Sequence, residues 1–306
     1  MKLSTATLLI MSFLGFPRCS PDPVSEETLR SLYASPLQPP EAPLAVYHIG
    51  HSLVSRDMPA MLAQLAGDGH RYESQLGWGA YLRQHWEPDV PLNGGDVEND
   101  HPRFREAREA VSSGDYDVLV LTEAVEIRDA IKYSDSWDYL ARWTKAAHEG
   151  NPDIRVYLYE TWHPTDDPEG WFNRVDLDLG RYWEREILDR ALAVDGIVAP
   201  IYVIPAGQVM ARFLREVEAQ GGVEGIQTLD DLFHDTIHPN IIGAYLVALT
   251  HYAVIYGKSP EGLPHRLLSH TGEPVKAPSE EAALLMQKVV WDVVTSYPRT
   301  GVAQGG

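Results

Sequence analysis

A serine, an imidazole and a carboxylate occur in this chain at positions where a fold would expose them. The segment HIGHSL sets Ser52 directly after Gly50 and His51, where an apolar run gives way to the helical pattern MPAMLAQLA. A serine at such a turn presents its hydroxyl, and the backbone amides around it can face a developing oxyanion. The position also suits a helix N-cap, a place serine favours. Far along the chain, LFHDTIHPNIIGAYLVALTHYAVIY places Asp235 and His238 three residues apart, ahead of a long apolar helix. A carboxylate one turn from an imidazole can orient the ring and stabilise its protonated form. The other ring nitrogen is then free to take a proton from serine. A capping aspartate beside an incidental histidine would give the same D-x-x-H pattern.

His234, Asp235 and His238 are also metal-ligand types. A metal there would need a third strong ligand and would leave Ser52 without a role, so the expectation is chemistry without metal or other cofactor. The acidic run DVENDH (96–101) offers oxygens for calcium but lacks the spacing of a dedicated calcium loop.

These residues need elements to position them. Short apolar runs recur at 44–50, 71–77, 116–124, 154–162 and 197–205, interleaved with helical patterns such as DYLARWTKAAHEG and GQVMARFLREVEAQ. Strands alternating with helices predict a parallel sheet covered on both faces. In such a sheet the ligand crevice lies beyond the carboxyl ends of the strands. Two connections leaving those ends, 80–104 and 163–183, are long enough to suggest functional loops.

The chain has 306 residues, with 44% hydrophobic and 23% charged, which fits one α/β domain with a real core. Its net charge of −19 opposes nucleic acid and anionic lipid as partners. The opening MKLSTATLLIMSFLGF reads as a signal peptide over residues 1–19, implying a periplasmic or secreted protein with no integral membrane segment afterwards. Cys19, the sole cysteine, is a possible lipid attachment site, although Phe16, Pro17 and Arg18 are not the small residues that usually precede one. Residues 20–42, rich in Pro, Ser and Glu, read as a tether or arm, and 43–298 as the domain.

Taken together, the strand-end G-x-S-L, a glycine after the second strand and D-x-x-H before the last major helix resemble the SGNH (GDSL-like) hydrolase superfamily over most of residues 44–257. The resemblance implies a flavodoxin-like three-layer α/β/α sandwich with a central parallel sheet of about five strands. It further implies an acyl-serine route, with Ser52 as nucleophile, His238 as general base and then acid, and Asp235 supporting His238. The family's second block supplies an oxyanion-hole glycine. In QLGWGAYL this is matched better by Gly79 than by Gly77, though either could be a plain turn glycine.

The third block departs from the pattern. Where relatives place an Asn or Gln, the run VLVLTEAVE offers only Thr122 and Glu123. Thr122 could donate through its hydroxyl, or Glu123 if burial kept it protonated. Alternatively Asn93, Asn99 or Asn173 arrives from the long connections. After the fourth strand come Glu160, Trp162 and His163, followed by Trp171, Phe172, Tyr182 and Trp183, while Trp78 stands between the two candidate glycines. Aromatic faces beside carboxylates suit sugars, which favours an acetylated saccharide ester as substrate. Packing of these aromatics onto the domain is the alternative. An esterase or thioesterase on lipid or small acyl substrates, and a non-catalytic carbohydrate-binding protein, are the competing functions.

Overall fold

In the computed structural model, which describes residues 20–303, the apolar runs form five strands. They are β1 (Ala45–His51), β2 (Arg71–Gly77), β3 (Val118–Leu121), β4 (Arg155–Glu160) and β5 (Tyr202–Pro205). All pairings are parallel, in the spatial order β2-β1-β3-β4-β5. This is the flavodoxin-like doubly wound order, whose connections reverse direction between β1 and β3 and open a crevice there. The expected three-layer α/β/α sandwich is the fold of the chain.

Strand side chains alternate between two layers, as a period of two requires. Val46, Val118, Val120, Tyr159 and Ile204 face helices Asp57–Ala66, Ala206–Ala219, Ile241–Tyr256 and Glu280–Ser296. Tyr47, Ile49, Leu119, Leu158 and Val203 face helices Ala107–Ser112 and Ser136–Gly150 and the end of the helical stretch 171–192. Helix Ile241–Tyr256 is buried along almost its whole length, which explains why its sequence is apolar on every side. Among the described residues no helix is long and apolar enough to cross a membrane.

Three expectations need adjustment. β5 begins at Tyr202, because Pro200 lacks the N–H that a ladder would use. The connection 163–183 is largely helix, with Trp171–Asp178 running into a π-type segment Leu179–Leu188, and 80–104 carries the short helices Leu82–Trp86 and Gly95–Glu98. Residues 20–42 are bonded to the domain: helix Glu26–Leu32 is capped by Ser25, the Tyr33 hydroxyl donates to Ile201 O (2.6 Å), and the Leu37 amide donates to Gly301 O (2.7 Å). The leader reading, Cys19 included, lies outside the described residues.

Candidate active site

β1 ends at His51, and Ser52 opens the turn that follows. Helix Asp57–Ala66 starts five residues later with Arg56 at its N-cap, so Ser52 does not cap it. Gly50 is required just before the turn, since a Cβ there would lie 2.5 Å from Thr122 Cγ2 and 2.8 Å from Val54 Cγ2. The His51 ring braces the turn. Its Nε2–H donates to Glu123 O (2.9 Å), and its Nδ1 accepts the Leu53 amide (3.3 Å). Burial pushes the His51 pKa down to about 4, so the ring is neutral and that tautomer holds.

The segment 234–238 arrives from across the crevice. It is irregular backbone, pinned at several points, rather than helix. Asn240 accepts from the Ile242 and Gly243 amides and donates to Asp231 O, and His234 N–H donates to His238 O (3.0 Å). Trp162 Nε1–H holds Ile237 O (2.8 Å), and the Thr165 amide holds Thr236 O (2.6 Å). Asp235 Oδ1 accepts the amides of Ile237 (2.8 Å) and His238 (2.7 Å), an Asx turn that aims the carboxylate.

Within this frame His238 Nδ1 lies 2.7 Å from Asp235 Oδ2, and His238 Nε2 lies 2.8 Å from Ser52 Oγ. Burial opposes ionisation of Asp235. The His238 and Ile237 amides and the His238 ring outweigh it and hold the carboxyl well below the usual carboxylate range. The aspartate is therefore an anion at neutral pH, fit to accept Nδ1–H and leave Nε2 as an acceptor toward the serine.

These groups line a cleft of about 600 Å³ together with Trp78, Gly79, Glu98, Leu53, Val125 and Ile237. Gly79 has φ +54°, a left-handed conformation that favours glycine, and nothing lies within 4 Å of the place its Cβ would take. Among the described residues, the Gly79 amide has no acceptor. Gly77 ends β2 and does not line the cleft; a Cβ there would meet Leu92 Cδ1 at 2.5 Å, so packing explains this glycine.

The expected third donors are elsewhere. Thr122 is fully buried and its hydroxyl donates to Tyr159 O (2.8 Å), a bond that ties β3 to β4. Glu123 is also fully buried. Its Oε1 accepts the Ala124 (2.8 Å) and Leu82 (3.3 Å) amides, and burial pushes its pKa up to about 7 against those bonds. Neither residue lines the cleft. Asn99 spends its amide on Leu76 O and Gly95 O, Asn173 donates to Glu169 O, and Asn93 is outside the cleft lining.

Four of the five expected substrate-binding residues are likewise corrected. Glu160 is buried, accepting from the Gly207 amide and from Gln208, and so anchors the start of helix Ala206–Ala219. Trp162 is core, and its ring N–H supports the segment carrying His238. His163 is buried with Nε2 at 2.6 Å from Asp178 and Nδ1 at 3.1 Å from Arg174. Trp171 packs edge-on against Phe172 and Phe233. Only Trp78 reaches the cleft, where it is 52% exposed with its ring N–H on Glu98 Oε1 (2.7 Å).

Cleft residues to which the sequence reading gave no role are His51 and Glu98, together with the apolar lining of Leu53, Val125 and Ile237, while His234 was noted only as a metal-ligand type. Glu98 lies inside the acidic run 96–101, which lacks the spacing of a calcium loop, and His51 inside the nucleophile motif itself. The approach of Glu98 to Ser52, and the bond of the His51 ring to Glu123 O, depend on long-range pairing that no local spacing shows.

No family model matches this chain, and no curated protein matches it. Among solved structures, a DUF4886 family protein from Bacteroides uniformis superposes with a TM-score of 0.52 at 15% identity, covering 84% of this chain and 96% of that one. A provisionally assigned GDSL-like lipase from Parabacteroides merdae gives 0.41 at 11% identity, covering 70% of this chain and 95% of that one. At such identities the likeness to the first is one of fold.

Proposed function

We propose that the chain is a serine ester hydrolase that removes short acyl groups, acetyl foremost, from carbohydrate. The observation that carries this reading is the unbroken line from Asp235 through His238 to Ser52, with heavy-atom separations of 2.7 and 2.8 Å. His238 Nε2 takes the Ser52 proton as Oγ bonds to the ester carbonyl carbon. The carbonyl oxygen becomes an anion between the Ser52 and Gly79 amides. Collapse of this intermediate breaks the bond to the alcohol oxygen, which receives the proton from His238. Water then enters by the same steps in reverse roles, releasing the acid and restoring Ser52.

The apolar lining of Leu53, Val125 and Ile237 suits a small apolar acyl group, and the exposed Trp78 face beside Glu98 suits a hydroxyl-bearing ring. The test is acetate release from p-nitrophenyl acetate and acetylated glycans, alongside labelling by a fluorophosphonate probe. Ser52→Ala should abolish labelling and lower turnover by roughly 10⁶-fold, the scale known for loss of a subtilisin nucleophile. Turnover that survives this substitution, or a preference for long acyl chains over acetyl, would overturn the reading.

A further inference from the structure

We propose that His234, Asp235 and His238 form an inhibitory site for a borderline transition-metal dication such as Zn²⁺. The functional consequence rests on the ester-hydrolase reading above, whereas the binding does not. His234 Nδ1 lies 3.4 Å from Asp235 Oδ2, and His238 Nδ1 lies 2.7 Å from the same oxygen. One ligand atom from each residue falls within 4.8 Å of the others, a convergence found nowhere else among the described residues.

The two imidazoles lie nearly parallel, at 11° with centroids 5.5 Å apart, so their Nδ1 edges address one carboxylate. The His234 to His238 backbone bond and the Phe233–Pro239 bridge fix their spacing. The backbone that carries these donors is therefore braced before any ion arrives. Zinc takes nitrogen at 2.0–2.1 Å and carboxylate oxygen at 2.0–2.2 Å in a tetrahedron, whose ligand atoms stand about 3.3 Å apart. The His234 to Asp235 separation already matches. The His238 to Asp235 contact has to open slightly, and the two imidazole nitrogens, within 4.8 Å of each other, draw together on the ion.

With its side chain 60% exposed, His234 leaves the fourth position to water. The two-nitrogen, one-oxygen set suits zinc, copper or nickel, and disfavours magnesium and calcium, which prefer oxygen. Bound metal would take the Asp235 oxygen and the lone pair of His238 Nδ1. That confines the ring proton to Nε2, so the imidazole cannot accept the Ser52 proton. Catalysis stops without any change to the serine itself.

The experiment is calorimetric titration of the full Ser52→Ala chain with zinc chloride, and with magnesium chloride as control. It expects one zinc per chain, no magnesium heat, and at least tenfold weaker binding in both Ser52→Ala/His234→Ala and Ser52→Ala/His234→Gln. In the protein with Ser52 intact, zinc should inhibit reversibly, with chelator restoring turnover. Its half-inhibitory concentration should rise at least tenfold in His234→Ala, relative to that variant's own activity. Absent zinc binding, or binding indifferent to His234, overturns the proposal. Zinc held through His234 in a protein that splits no ester sustains the site and defeats the hydrolase reading. An active esterase that ignores zinc does the opposite.

Discussion

The two long connections leaving the carboxyl edge of the sheet have similar compositions, rich in tryptophan, histidine and carboxylates, but opposite fates. The first, after β2, turns Trp78, Gly79 and Glu98 toward Ser52. The second, after β4, folds inward. There Arg174, 1% exposed, is bonded to Glu126, Asp167 and Asp178, and Asp178 also holds His163. Composition does not separate a wall from a pillar; the difference is where the polar groups find their partners. In the second connection the buried charges Arg174, Asp167 and Asp178 are spent on one another, while Asp166, Glu169, Asp176 and Arg181 stay on the surface away from the cleft. In the first, the Trp78 ring face and the Gly79 amide remain available.

The sharpest way to break this contrast is Arg174→Ala. Stranding buried carboxylates of the second connection should cost about 3–5 kcal/mol, seen as a drop in the thermal midpoint. Activity per folded molecule should hold up much better than stability. Collapse of activity with an unmoved midpoint would place Arg174 on the cleft side.

The pillar also has a pH signature. Burial pushes the Glu160 pKa up to about 8, above an unfolded value of about 4.3, so the folded state keeps a proton that the unfolded chain releases. Its contribution is therefore complete at low pH and declines as pH rises from about 4.3 toward 8. The thermal midpoint of the native chain, taken relative to that of Glu160→Gln, should fall across that window. A midpoint that rises in parallel in both proteins would contradict this.

On the cleft side the effects should be kinetic. Asparagine at position 51 keeps an acceptor near the place of Nδ1, whereas glutamine keeps a donor near Nε2. If the Leu53 bond is what aims the Ser52 turn, His51→Gln strands that amide at a cost of about 1–3 kcal/mol and should lower kcat tenfold or more. His51→Asn should be markedly milder. Equal losses in both variants would assign the brace to the Glu123 bond instead. Smallest of all, Trp78→Ala should raise KM for acetylated glycans by about tenfold, or 1.4 kcal/mol, with far less effect on p-nitrophenyl acetate and on the thermal midpoint. Equal losses on both esters would remove Trp78 from sugar recognition.

The alternation of apolar runs with helical patterns was enough to read the sheet, because a parallel strand buried on both faces has few alternatives in composition. Ser52, Asp235 and His238 were legible for another reason: G-x-S-L at a strand end and D-x-x-H ahead of the last long helix are weak apart, and it was their combination that resembled a known family. The donors around them were not. Thr122 looked available until the β4 carbonyl it serves was known, and Glu160 until the helix start it caps was known. Trp162 was read as a sugar platform, but its ring N–H is spent on Ile237. These are facts of pairing between segments far apart in the chain, which residue type and spacing do not encode.

Asn99 shows a further side of the first connection. Its Oδ1 accepts the Leu76 amide and its Nδ2 donates to the Leu76 carbonyl, each at 2.9 Å. A single side chain thus takes the place of a sixth strand on the open flank of β2, and nearby Ser74 is closed by the backbone of Arg103 and Arg105. An unguarded flank is a template for another molecule's strand. Anyone trimming this insertion to retune substrate choice would also be removing the guard against lateral self-association, so aggregation, not altered selectivity, is the first change to look for.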